Sequence, residues 1–487
     1  MARTDSIVNA SSSSASASSS SASAPCYHYL VTDQLFVVGV ANGFLPREDP
    51  LAQLPQEYAA LESLLQRMSI QQPDGSPPGL LANGQFGDAV RHELPEYDVS
   101  SITDTRLLSA LYRDLTFAAS AYLLEPCDVQ FRKDGTYGLG RDVLPRQIAV
   151  PLSVVAQKIG ARPFMEYAMS YALYNYRRRD ESRPLDYDNL ELIRAFSRYP
   201  AEHGFILVHV AMVRHASTLV AASLRSLDAV EAGDRDTFNQ TMRDIHGVYM
   251  RIIGTLVTMW RRSDPGKYLS YRTFIMGTKN QPMFPDGVIY EGVSTEPFRL
   301  RGESGANDSM VPLGDNLLEL TASMPSNPLT EVLRDFRSYR PRNHRIFLEH
   351  IQHRAAALGL RAFALDDARS AVLYLANLDL LRSFRHHHWH MTKEYIIERT
   401  EHPVATGGSP IVTWLPNQLA AVLDAMAAVV DRIDTDELAA DDRARVTEIS
   451  ARIVSEQGML AREVAALARR YGSKAVHVDA VEAATRA

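Results

Sequence analysis

Cysteine is almost missing from this chain: of 487 residues only Cys26 and Cys127 carry a thiol. That excludes a disulfide framework and a cysteine-rich zinc or iron–sulfur centre, and it points to a reducing compartment. An excess of positive charge is missing too. The 51 Lys and Arg against 58 Asp and Glu give a formal net charge of -7, which argues against nucleic acid or an anionic membrane as the main partner. No run of about 18 apolar residues occurs, so no membrane span is expected. The first 25 residues, with stretches such as Ala10-Ser11-Ser12-Ser13-Ser14, lack the apolar core of a secretory signal. Arg3 alone is not the Arg-rich pattern of a transit peptide. Such a tail buries too little apolar surface to offset the entropy of ordering, so it is read as disordered, and the expected location is cytoplasmic.

Strict apolar–polar alternation is also scarce, which leaves little room for strands. What the chain does have is helical periodicity. Apolar residues recur at helical spacing over 55–68 and 102–124, from about 151 to 180, and over 190–199, 204–230, 236–260, 365–398 and 415–433. The segment 71–87 reads as a Pro/Gly-rich connection. The composition, 46% hydrophobic and 22% charged, is that of a globular protein, and the length allows two domains. The expected class is all-α, mostly helical. Its parts are a Ser/Ala-rich tail over 1–25, a small N-terminal domain over 26–140, a large helical domain over 141–435 and a helical C-terminal extension over 436–487.

One segment carries chemistry: Phe384-Arg385-His386-His387-His388-Trp389-His390-Met391. On a helix over 379–398, Phe384, His388, Met391 and Tyr395 share one face, while His386, His390 and Lys393 fall on a more polar one. A porphyrin iron needs one neutral imidazole pointing from a rigid element into an apolar slot. His388 meets that description best and His387 second. By itself a histidine cluster is more often a solvated surface, and His386 with His390 could hold zinc, although no third ligand is evident. A short way downstream stands Ala405-Thr406-Gly407-Gly408-Ser409.

Together these two segments resemble the proximal helix and substrate loop of the indoleamine 2,3-dioxygenase family, within the haem superfamily that opens the indole ring of tryptophan. Four further blocks are similar and stand in the family's order. They are Gly43-Phe44-Leu45-Pro46 with Asp49-Pro50-Leu51, Leu144-Pro145-Arg146 with Ile148 to Ser153, Pro285-Asp286-Gly287 with Tyr290-Glu291-Gly292, and Tyr339-Arg340-Pro341 with His344-Arg345. Aligned without gaps from Phe384-Arg385, the resemblance puts the iron ligand on His388; aligned on Thr392-Lys393 it shifts to His387.

The resemblance implies haem b as cofactor, O2 as co-substrate and a small-molecule substrate, L-tryptophan or a related aromatic amino acid, cleaved to N-formylkynurenine. It implies a monomer or weak oligomer without nucleic-acid or membrane partners. Arg272, five residues before Gly277, takes the place of the carboxylate-binding arginine, a role suited to a guanidinium fork. His209, closing Gly204-Phe205-Ile206-Leu207-Val208-His209, lies over the distal face. Ser304, Gly305 and Ala306 belong to a small-residue loop that lets backbone approach the porphyrin, with Ser304 counted among the catalytic set. Arg385 matches a propionate partner, Tyr167 and Tyr268 match pocket residues, and Thr406 and Gly407 match a closing loop with glycine hinges. Lys267 departs from the pattern, standing where many members have an aromatic residue, and Pro410 stiffens the loop. A lysine over the indole edge would favour an alternative: a haem enzyme of the same fold with rearrangement or hydroxylation chemistry. A non-catalytic haem sensor is a further alternative, against which Arg272 speaks, since a gas sensor needs no carboxylate clamp.

Overall fold

A computed structural model describes residues 30, 33–71, 77–320, 335–402 and 404–484, with side chains to Tyr471. The Ser/Ala tail lies outside the described residues. The described chain is mostly helical, and its strands form two short pairs, Val143–Leu144 parallel to Ile289–Tyr290 and Tyr176–Arg178 antiparallel to Leu190–Leu192.

The helix Thr105–Asp134 runs through the centre. Asp104 starts it by accepting from the Arg106 amide at 2.9 Å, and Gly135 stops it at φ 79°, a left-handed conformation that glycine adopts without steric cost. From its middle, Glu125 accepts the amides of Phe86 and Gly87 at 2.6 and 3.0 Å. A carboxylate there satisfies orphan donors and opposes the positive end of a helix. It allows the helix Phe86–Glu93 to begin inside a segment that its composition marks as a connection.

Several expected helices are corrected. The region from 151 to 180 is not continuous: the helix Arg146–Ile159 stops at Gly160, with Pro163 just beyond, and a single π-helical turn, Tyr167–Tyr171, follows. The stretch 190–199 is no helix but begins with the strand Leu190–Leu192. Asn175 holds it in place, donating to the Arg194 carbonyl at 2.9 Å and accepting the Arg194 amide at 2.8 Å. The stretch 204–230 is two helices, Pro200–Val213 and Ala216–Ala232. Together they are long and apolar enough to cross a membrane by composition, yet most of that surface is buried in the protein. A second π-helical turn, Lys393–Ile397, ends the helix Ala368–Thr392. Such turns cluster at functional sites; the second borders the cavity described below, and the first stands behind it, touching the wall residue His209 through the Tyr167 hydroxyl.

One contiguous apolar cluster runs from Leu35 to Leu460, so packing continues across residue 140. The C-terminal extension is the helix Ala440–Ala484, packed on Ile411–Val430 and on the back of Ala368–Thr392. Glu456 meets Arg382 at 2.5 Å, and Glu463 takes the Trp389 indole N–H at 2.7 Å and Lys393 at 2.6 Å. The extension thus braces the helix that carries the histidine cluster.

A buried ion network ties the N-terminal helix Ala59–Met68 to the centre. Arg194 meets Glu62 at 2.5 Å and Asp114 at 2.7 Å, and Arg113 meets Asp114 at 2.7 Å. Burial works against the Asp114 charge, but the two guanidinium groups outweigh it and hold the carboxyl below its ordinary range. Asp114→Ala would leave two buried cations short of a partner, at a cost of about 3–5 kcal/mol. Urea unfolding should show the midpoint fall accordingly; an unchanged midpoint would mean the network does not hold these elements together.

Candidate functional site

The helix Ala368–Thr392 begins where Asp367 accepts the Ser370 amide at 2.7 Å. Its middle turns are buried through Leu375, Leu378 and Leu381, which fixes the direction of its last turns. There Phe384, His388, Met391, Tyr395 and Ile396 line a cavity. The shared face expected for Phe384, His388, Met391 and Tyr395 is therefore the face turned into the cavity. His387 is not in that wall; it stands edge-on to His386, ring centres 6.2 Å apart. Burial, helped by the nearby Arg385 charge, pushes the His388 imidazole down to about 4. It is neutral at physiological pH, with a lone pair available to a metal.

The helix Pro200–Val213 supplies the facing wall through Phe205, His209 and Met212. Burial, and then His388, push His209 down to about 4. Its Nδ1 lies 3.2 Å from the Tyr167 hydroxyl, so Tyr167, in the π-helical turn, orients the ring from behind without reaching the wall. Ser304, Gly305 and Ala306 also line the cavity. The Ser304 hydroxyl is used locally, accepting the Ala306 amide at 3.3 Å. A methyl group on Gly305 would sit 3.5 Å from His209, so the backbone does pass close here.

A second space adjoins the first and shares Gly305, Ala306, Asp308, Phe384, His388, Trp414 and Leu415 with it. Its far end is cationic, with Arg337, Arg340 and Arg385. Arg385 gives one nitrogen to both Asp315 oxygens, at 2.8 and 2.7 Å, while its Nη1 is buried with no hydrogen-bond partner among the described residues. Arg340 donates to the Ala306 carbonyl at 3.0 Å. Of these three, Arg385 and Arg340 stand in segments that the sequence singles out, whereas Arg337 is brought here by the fold. A largely apolar slot with a neutral histidine on each of two walls, continuing into a space lined by arginines, fits haem b, a flat apolar ring with two carboxylates on one edge.

Arg272, at the end of the short helix Leu269–Arg272, is fully buried. It is not in the cavity wall but behind Tyr268, which is. Its Nη2 donates to the Val404 carbonyl at 2.7 Å, while Nε and Nη1 have no partner among the described residues. Burial and the Arg272 charge push the neighbouring His402 imidazole down to about 3. Lys267, in contrast, is exposed and lies over the Tyr199 ring at 5.3 Å. The expectation of a lysine over the substrate is thus corrected. The neighbouring backbone turns Lys267 outward and Tyr268 inward.

The glycine loop is seated rather than open. The Thr406 hydroxyl donates to the Glu303 carbonyl at 2.6 Å, and the Thr406 carbonyl accepts from Gly277 at 2.9 Å. The Gly407 carbonyl accepts from Arg301 at 2.7 Å. Thr406 and Ser409 line the cavity, Gly407 does not; a methyl on Gly407 would run into the Phe336 ring. Gly408 takes φ 81°, a conformation that side chains disfavour. The pairing of His386 with His390 gains a neighbour, Glu456, at 3.4 Å from His386, but Glu456 is engaged by Arg382. Among the described residues no three side chains are grouped to hold a metal. Glu303, which reads in the sequence as an ordinary member of the small-residue loop, is a buried part of the wall.

A family profile described as indoleamine 2,3-dioxygenase matches residues 33–426. The chain is 28% identical to indoleamine 2,3-dioxygenase 2 of Mus musculus over 356 residues, 73% of this chain and 82% of that one. It is 25% identical to indoleamine 2,3-dioxygenase 1 of Rattus norvegicus over 386 residues, 75% and 89% of the two chains. A protein named myoglobin from Haliotis diversicolor is 24% identical over 350 residues, 70% and 87% of the two chains. The matched region contains both cavity walls, the cationic end and the seated loop, and this chain belongs to the indoleamine 2,3-dioxygenase family, as an oxidoreductase of the dioxygenase type.

Proposed function

We propose that this enzyme binds haem b and uses O2 to cleave the indole C2–C3 bond of L-tryptophan, or of a close indole amino acid, giving N-formylkynurenine. The observation that carries the substrate reading is Arg272: a guanidinium buried beside the cavity with two unpaired donors. Burying such a group without an anion is costly, and an amino-acid carboxylate would offset that cost through charge-assisted hydrogen bonding.

In this reading His388 holds the haem iron, and Arg337, Arg340 and Arg385 face the propionates. Haem, when bound, supplies the activation of O2. The protein's own residues bind, orient and exclude water. Arg272 takes the carboxylate, and Phe205 and Tyr268, ring centres 5.3 Å apart, pack against the indole. His209, held neutral and oriented by Tyr167, presents its second nitrogen to the indole N–H. Ser304 lines the reacting space, and Thr406 and Gly407 close the loop over it. Family membership alone does not assign this chemistry, since one relative is named myoglobin; the buried Arg272 favours an amino-acid substrate. The outward Lys267 takes away the feature that favoured rearrangement or hydroxylation. We place the enzyme in the cytoplasm, in keeping with its two cysteines.

The test is reduction of the purified, haem-loaded protein without oxygen, followed by L-tryptophan and O2, with absorbance followed at the N-formylkynurenine band. Product formation supports the reading. A normal haem spectrum that responds to tryptophan yet yields a hydroxylated or rearranged product would overturn it in favour of another oxidation.

A further inference from the structure

The cavity wall contains two carboxyl groups, Glu303 and Asp308. Asp308 serves the fold. One of its oxygens accepts the amides of Met310 and Val311 at 2.9 and 3.2 Å, at the start of the helix Met310–Leu317. Glu303 has no such use. It is 3% exposed, and its carboxyl makes no hydrogen bond or ion pair among the described residues. Only its backbone is tied, through the Thr406 hydroxyl at 2.6 Å. Tyr167, Tyr171 and Tyr268 all feel its charge, so it stands among the rings around the substrate space. A buried carboxyl without a donor is costly for the empty protein, as the unpaired nitrogens of Arg272 are. A zwitterionic amino acid brings one charge of each sign.

We propose that Glu303 receives the α-ammonium group of the amino-acid substrate and thereby sets a preference for amino acids over their deaminated analogues. This rests on the reading above that the substrate is an aromatic amino acid. Burial alone pushes the Glu303 carboxyl up to about 8, so it is neutral in the empty cavity at pH 7. A bound ammonium stabilises the carboxylate, and the carboxyl proton leaves to solvent. The preference therefore grows as pH rises from 6 towards 8. The three tyrosines stay protonated and His209 stays neutral over this range. Asp308, raised to about 6 by burial, is the other group in the wall that titrates there, so Asp308→Asn separates the two.

The experiment titrates the haem-loaded wild type, Glu303→Gln, Glu303→Gly and Asp308→Asn with L-tryptophan and with indole-3-propionate. Haem absorbance and equilibrium dialysis are read in parallel between pH 6 and 8. Wild type and Asp308→Asn should favour tryptophan by roughly tenfold or more at pH 8, the range of a charge-assisted hydrogen bond. Both Glu303 variants should lose that preference and its pH dependence while keeping their haem. Glu303 variants that retain the wild-type preference would overturn the proposal. Tryptophan binding with the expected preference but no kynurenine product would sink the dioxygenase reading and leave the Glu303 assignment standing. Product formation with the preference unaltered in the variants would do the reverse. Absence of tryptophan binding to wild type overturns both.

Discussion

His388→Ala is expected to give a folded protein that purifies without stoichiometric haem and forms no product above background. Only one imidazole of the four-histidine cluster faces the cavity, so no neighbour can replace it. The substitution should leave the fold intact, because His388 opens onto the cavity instead of filling the core. Truncating it enlarges an existing space and leaves no buried group unpaired. His387→Ala is the matched control and should keep its haem, since that ring stays out of the wall. Haem stoichiometry by pyridine haemochrome absorbance, with imidazole added to the medium to refill the vacated position, makes the comparison. If His387→Ala loses the haem and His388→Ala retains it, the assignment of the ligand is wrong.

Arg272→Ala should lower kcat/KM for tryptophan by on the order of 10²–10³, the factor for losing a buried charge pair worth about 3–4 kcal/mol. Arg272→Lys should recover little, because a compact ammonium cannot reproduce the planar, spread donors of the guanidinium, of which Nε and Nη1 have no partner among the described residues. Thermal stability should move the other way from most arginine losses. Arg272 gives one hydrogen bond, to the Val404 carbonyl, and leaves two buried nitrogens unpaired. Its removal therefore deletes a desolvated charge along with that single bond, so the melting temperature should hold or rise. An unchanged kcat/KM would sink the clamp; a collapse in melting temperature would make Arg272 a structural residue instead.

Much of the site was legible because it is written in short spacings. The face of Phe384, His388, Met391 and Tyr395 follows from helical geometry alone, and the cavity opens on that face. The Thr-Gly-Gly loop was legible through the family resemblance, and its second glycine does take a positive φ. The failures came where distant residues decided. Apolar spacing over 190–199 reads as a helix, but Asn175 captures the Arg194 backbone and makes the segment begin as a strand. The helix at Phe86 depends on Glu125, 38–39 residues further along the chain. Lys267 and Tyr268 are adjacent, and which of them faces the substrate is set by a one-residue difference in rotation where a 3₁₀ turn meets the helix Leu269–Arg272.

By itself, then, the sequence determined the helical class and the histidine face, because one is compositional and the other local, while the carboxylate-binding arginine became a candidate only through the family resemblance. Tertiary structure alone decided that this histidine face opens onto a cavity and that three arginines line the adjoining space. It also decided that Lys267 points away and that Glu303 is left unpaired inside. Those outcomes depend on how segments far apart in the chain exclude water from one another, and no local pattern encodes which charges end up with a partner.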